Sequence, residues 1–140
     1  MKIQIFVVLV LCTYTIGFAQ NNPLEKIKIE FNKKFPEATN VKWEKENAHN
    51  YEANFKLKNA EYSANFDDKG EWLETESPFT YDQLPEKIKT AFSASHKGAT
   101  IKAVSKIETS KRGVLYEVEI KQGIKSSELF YTSEGLSTKE

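Results

Sequence analysis

Apolar positions recur along this chain with two different periods, and the switches between them mark its elements. Near the start, Leu24, Ile27, Phe31 and Phe35 return every three or four residues, one apolar stripe on a helix. Asn22 is suited to cap that helix, Pro23 fits a first turn whose amide needs no partner, and Glu25 can reach back to the cap. Pro36 limits it by disfavouring helical geometry at Phe35. The segment QLPEKIKTAF predicts a second helix, with Pro85 as its first residue and Leu84, Ile88, Ala91, Phe92 and Ser95 on the inner face. Gly98 is its expected terminator.

Elsewhere the period is two. Val41 and Trp43 share a face, as do Tyr51, Ala53, Phe55 and Leu57, and then Tyr62, Ala64 and Phe66. Later, Val114, Tyr116, Val118 and Ile120 repeat the pattern, and Leu129 joins Tyr131. Alternation with one polar side describes antiparallel strands covered on one face only. The two amphipathic helices are the available covers.

The order of elements repeats. LEKIK and PEKIK open the two helices, with Phe31 and Phe92 at the same distance beyond, and Ala38–Thr39 matches Ala99–Thr100. Tyr51 to Phe55 matches Tyr116 to Ile120, and Phe66 to Gly70 matches Tyr131 to Gly135. Chance likeness of two charged helices explains the first match alone; the ordered series favours a duplication. The expected fold is therefore α+β: tandem helix-plus-antiparallel-sheet repeats, about residues 22–78 and 79–140, with the helices on one face of the sheet. No Pro-, Gly- or Ser-rich linker divides them, and each alone is marginal for a core. One shared or continuous sheet within a single domain, residues 20–140, is expected.

Residues 1–19 stand outside this pattern. Lys2 is followed by a nearly all-aliphatic run from Ile3 to Leu11, and Gly17 and Ala19 lead to Gln20. That is the layout of a cleaved signal peptide, and the run is short for a span of about 20 residues; an uncleaved anchor is the competing reading. Cys12 follows Leu11, where lipid attachment expects a small residue, so it reads as part of the leader. Its removal leaves no cysteine and no methionine, so an oxidising compartment offers this product no disulfide. Periplasm or secretion is the expected location. The leader takes one of the 20 basic residues and none of the 20 acidic ones, leaving a net charge of −1. The charges alternate without a concentrated positive field, which argues against a nucleic-acid partner.

Candidate chemistry is sparse. The stretch NFDDKGEWLE, residues 65–74, offers acidic side chains around a glycine. Read as a calcium loop from Asp67, the third position is Lys69 and the twelfth is Pro78, so the register fails. A hairpin turn needs less: an aspartate to accept turn hydrogen bonds and Gly70 at positive φ. A looser cation site from Asp67, Asp68, Glu71, Glu74 and Glu76 stays open as the alternative. His49 and His96 lack partners at zinc-ligand spacing and read as solvated. No nucleophile elbow or phosphate loop occurs; no enzyme, cofactor or metal is expected. Trp72, Leu115 and Phe130 fit the buried pattern poorly. If the helices cover the Tyr116 and Tyr131 side, Leu115 and Phe130 emerge on the open face, where such residues can anchor a partner. Twist or a bulge that changes parity explains them equally well.

Trp43, then Tyr51-x-Ala53-x-Phe55, Phe66-Asp67-x-x-Gly70-x-Trp72-Leu73 and Leu84-Pro85 before a helix together resemble the PepSY-like domains likened to β-lactamase inhibitor protein. The likeness covers about residues 24–136. It implies small exported proteins, common in Bacteroidetes, with tandem α/β repeats, and related PepSY domains suspected of restraining peptidases; it supplies no functional residues. The second copy departs from the pattern, with Tyr131–Thr132 for the Phe-Asp pair and Leu136 expected in the place of Trp72. The expected function is an exported, non-catalytic binding protein that engages a protein or peptide in the cell envelope through the open sheet face, peptidase inhibition being one form. The alternatives are an envelope structural or small-ligand-binding protein with a closed apolar pocket, and a weak divalent-cation sensor.

Overall fold

The structure, a computed structural model, describes residues 23–139; the leader and the Asn22 cap lie outside the described residues. In chain order the elements are α1 (Pro23–Lys34), β1 (Thr39–Lys45), β2 (Asn50–Leu57), β3 (Ala60–Asp67) and β4 (Trp72–Phe79), then a 3₁₀ turn (Tyr81–Gln83), α2 (Glu86–Ser95), β5 (Thr100–Thr109), β6 (Gly113–Gln122), β7 (Lys125–Thr132) and β8 (Ser137–Thr138). All eight strands form one antiparallel sheet in sequential order. The halves join where β4 pairs β5, from Glu74 opposite Thr109 to Phe79 opposite Val104. Among the described residues, no helix is long and apolar enough to cross a membrane.

α1 buries Ile27 and Phe31 against Ala53, Phe55, Ala64 and Phe66, the alternating residues of β2 and β3. The Phe31 ring lies 5.0 Å from Phe55 and 5.3 Å from Trp43, both edge to face. Such aromatic pairs contribute about 0.5–1.5 kcal/mol beyond burial. α2 buries Ile88 and Phe92, with Leu84, against Val104, Val118, Ile120 and Tyr131. Register carries Ala64 to Thr75 and Thr75 to Glu108, while Phe79, Val104, Val118 and Leu129 form one cross-strand row. Paired side chains share a face, so both helices lie on the same side.

The helix starts differ in one detail. Pro85 is the cap residue, at φ −52° and ψ 139°, and α2 begins at Glu86, one position later than the sequence suggests. The extended ψ keeps Pro85 out of the helical turn while its carbonyl accepts from the Ile88 and Lys89 amides. Before it, the Thr80 amide donates to Gln83 Oε1 at 3.0 Å, tying down the connection from β4.

The two halves also repeat a contact between turn and helix. Gly70 (φ 85°) lies against Lys26 and Glu30 of α1, and Gly135 (φ 78°) lies against Lys87 of α2. Lys26 and Lys87 hold the same place in the LEKIK and PEKIK words. Asp67 pairs its amide with Glu71 carbonyl, as Thr132 does with Leu136. Phe66 faces Trp72 and Tyr131 faces Ser137. Ser137, and not Leu136, therefore occupies the place of Trp72: each lies two residues beyond its turn glycine, and Leu136 instead matches Glu71.

Candidate functional site

The NFDDKGEWLE stretch folds as a turn. Asp67 Oδ1 accepts from the Lys69 and Glu71 amides at 3.0 and 2.8 Å, and the Gly70 amide donates to Asp67 carbonyl at 3.0 Å. Gly70 supplies the left-handed φ that a side-chain-bearing residue resists. Asp68 turns away to His49, whose Nδ1 lies 2.9 Å from its Oδ2, a contact that the polar NAHN link gave no reason to expect. Glu74 and Glu76 lie along β4, so the five carboxylates do not converge. No group of three metal-ligating side chains occurs among the described residues.

The three partner-binding candidates separate. A register shift between Asn65 and Phe66 places Trp72 opposite Phe66, on the helix side. There Lys34 Nζ sits 3.8 Å from its ring centroid, and Nε1 donates to Thr75 Oγ1 at 2.9 Å. Trp72 and Phe66 floor a recess of about 720 Å³ between α1 and the turn, rimmed by Lys26, Glu30, Lys33 and Lys69. Leu115 does lie opposite the helices, yet it is only 2% exposed. It pairs with Ile107, which is 4% exposed, and neither belongs to a helix-covered cluster. Phe130, opposite Glu117, is half-buried on that same face. A compact apolar centre thus sits on the side that no described helix covers.

Around that centre the open face is acidic. One cross-strand row runs Glu44, Glu52, Asn65, Glu74 and Thr109. The next runs Lys42, Asn54, Ser63, Glu76, Ile107, Leu115 and Thr132. Lys56 and Glu61 oppose each other and form an ion pair at 3.1 Å, while Ser105, Glu117 and Phe130 continue on the other half. Glu119 faces Glu128, and Lys121 faces Ser126. A groove of about 350 Å³ crosses the seam of the halves, with Glu52, Asn54, Glu61, Glu76 and Ser105 on its walls. Sequence alternation marks these residues as polar and outward, but only the register shows that their charges gather.

On the helix side, a trough beside the end of α1 is lined by Tyr62, Ser77, Lys106 and Glu108. The hydrogen bond from Lys106 to Glu108, 2.7 Å long, raises the lysine pKa against the opposing effect of burial. Burial alone raises the Tyr131 phenol above its ordinary value.

These features define a duplicated α+β domain with both helices on one face of a single antiparallel sheet, a fold that suits binding. The chain belongs to the family described as "Putative beta-lactamase-inhibitor-like, PepSY-like", whose model matches residues 49–137. Three solved structures from Bacteroides are similar to it. One, described among "putative periplasmic proteins" of Bacteroides eggerthii, has a TM-score of 0.75 at 18% identity over 82% of this chain and 85% of its own. A DUF2874 family protein of Bacteroides ovatus has a TM-score of 0.72 at 24% identity, covering 81% and 83%. A BLIP-like protein of Bacteroides fragilis has a TM-score of 0.70 at 26% identity, covering 82% of each chain. No curated protein matches.

Proposed function

We propose that this is an exported binding protein that engages a protein or peptide through the open face of its sheet. The observation that carries the reading is the uncovered side itself: a broad strand surface with Phe130 half-buried beside Leu115 and Ile107. Periplasmic or secreted residence follows from the leader pattern and agrees with the description of the Bacteroides eggerthii relative. Restraint of a peptidase is a specific form of this reading. The small-ligand alternative is less favoured, because the recess floored by Trp72 and Phe66 is rimmed by charged side chains and is not a closed apolar pocket.

The test is site-specific photo-crosslinking in the native envelope. A photoreactive residue at Asn54 or Ser126 on the open face is expected to give a discrete adduct that Phe130→Asp diminishes. The same group at Asn32 or Thr90, exposed on the helices, is expected to give none. Adducts only from the helices, or equally from all four positions, refute the assignment.

A further inference from the structure

We propose that the partner presents a lysine- and arginine-rich segment to the open face, an inference that rests on that face being the working surface. Two observations point the same way. First, Glu44 stands directly opposite Glu52, and Glu119 directly opposite Glu128. Like charges at paired positions work against folding, and a helix-free face gives no packing reason to place them there. A cationic partner removes that repulsion on binding.

Second, the basic residues that register places on this face do not balance it. They are Lys42, Lys56 and Lys121, and Lys56 is already paired with Glu61. The near-neutral total charge of the chain therefore hides a strongly sided distribution, and such a field speeds encounter with an opposite charge.

Guanidinium and ammonium groups carry donors and no acceptors, so they match the carboxylates of these rows. Their aliphatic stems can lie along Phe130. A divalent cation answers the charge less well, because no three ligands converge among the described residues. A nucleic acid carries the wrong sign.

The experiment measures anisotropy of three short labelled peptides, one rich in Arg and Lys, one rich in Asp and Glu, and one uncharged, against the exported chain. Variant Glu44→Gln/Glu52→Gln/Glu119→Gln alters the open face; Glu25→Gln/Glu86→Gln/Glu134→Gln removes as much charge elsewhere. The basic peptide alone is expected to bind, about tenfold more weakly to the open-face variant, nearly unchanged to the other, and more weakly as salt rises. The open-face variant is also expected to melt higher, since it loses repulsion while keeping its fold. Binding that ignores peptide charge, no binding, or equal loss in both variants overturns the proposal. Sequencing the adduct formed at Asn54 separates the two readings. A neutral or acidic partner segment there removes the cationic partner and leaves the binding face; no adduct at either Asn54 or Ser126 removes both.

Discussion

Gly70→Ala and Gly135→Ala test whether the turn-on-helix contact is repeated, and they should differ. Both glycines have left-handed φ values, 85° and 78°, so alanine at either pays a backbone strain of about 1–2 kcal/mol. The surroundings then diverge. At Gly70 an added Cβ meets Glu30 Cγ at 3.3 Å and Lys26 Cγ at 3.5 Å, both on flexible side chains that can step aside. At Gly135 it would stand 2.7 Å from the Lys87 carbonyl oxygen and 2.9 Å from its carbon. That backbone is the first turn of α2, so relief requires the turn and the helix to part, and overpacking of this kind adds about 1–3 kcal/mol. Gly135→Ala is expected to cost about 2–5 kcal/mol, against about 1–2 for Gly70→Ala. Gly123→Ala supplies the strain alone, because nothing lies within 4 Å of its added Cβ. Urea titration followed by fluorescence and far-UV circular dichroism measures all three. Both tryptophans, Trp43 and Trp72, sit in the first half. A matching shift of the fluorescence transition in Gly135→Ala therefore also shows that the halves unfold together. A Gly135→Ala protein no less stable than Gly123→Ala refutes the packing argument.

Other outcomes follow from the same structure. Phe31→Ala should cost about 3–5 kcal/mol, read by urea midpoint, because it empties the centre of the α1 core. Replacing Lys58-Asn59, whose φ values are 50° and 66°, with Asn-Gly should raise stability by up to about 1 kcal/mol, since both positions then tolerate the left-handed turn. Raising the pH should destabilise the fold from about pH 10, the ordinary tyrosine value. The folded Tyr131 phenol keeps its proton above that point, so its stabilising contribution is present below the unfolded pKa and lost as pH rises through the folded one. Tyr131→Phe should flatten that fall in pH-dependent melting curves. Millimolar calcium should leave the melting temperature unchanged, because Asp67 already serves two backbone amides and Asp68 serves His49; a clear rise would revive the cation-sensor reading.

The elements were legible wherever side-chain period and burial agree. Ile27 and Phe31, Ile88 and Phe92 announce the helix stripes, and Ala53, Phe55, Ala64 and Phe66 announce the covered strand faces. What stayed hidden depends on register. The shift between Asn65 and Phe66 carries Trp72 to the helix side, against simple alternation along β4. Leu115 is legible as facing away from the helices, but its burial arises beside Ile107 on another strand. The acidic face was unreadable for the same reason: Glu44 and Glu52, or Glu119 and Glu128, become neighbours only once β1 meets β2 and β6 meets β7.

Strands laid down in chain order also place the two ends of the sheet at opposite margins, β1 at one and β8 at the other. Tension applied there loads the margins before the middle, and a terminal strand can peel away without shearing the strands behind it. The α1 core resists at one end, whereas β8 is two residues long, pairs at Phe130–Thr138 and Tyr131–Ser137, and belongs to neither helix-covered cluster. Pulled from both ends, the molecule should open from its carboxyl-terminal side at low force, like a zipper with one weak tooth. Built in the same order, each new strand finds its mate in the segment just completed, a topology that favours rapid assembly.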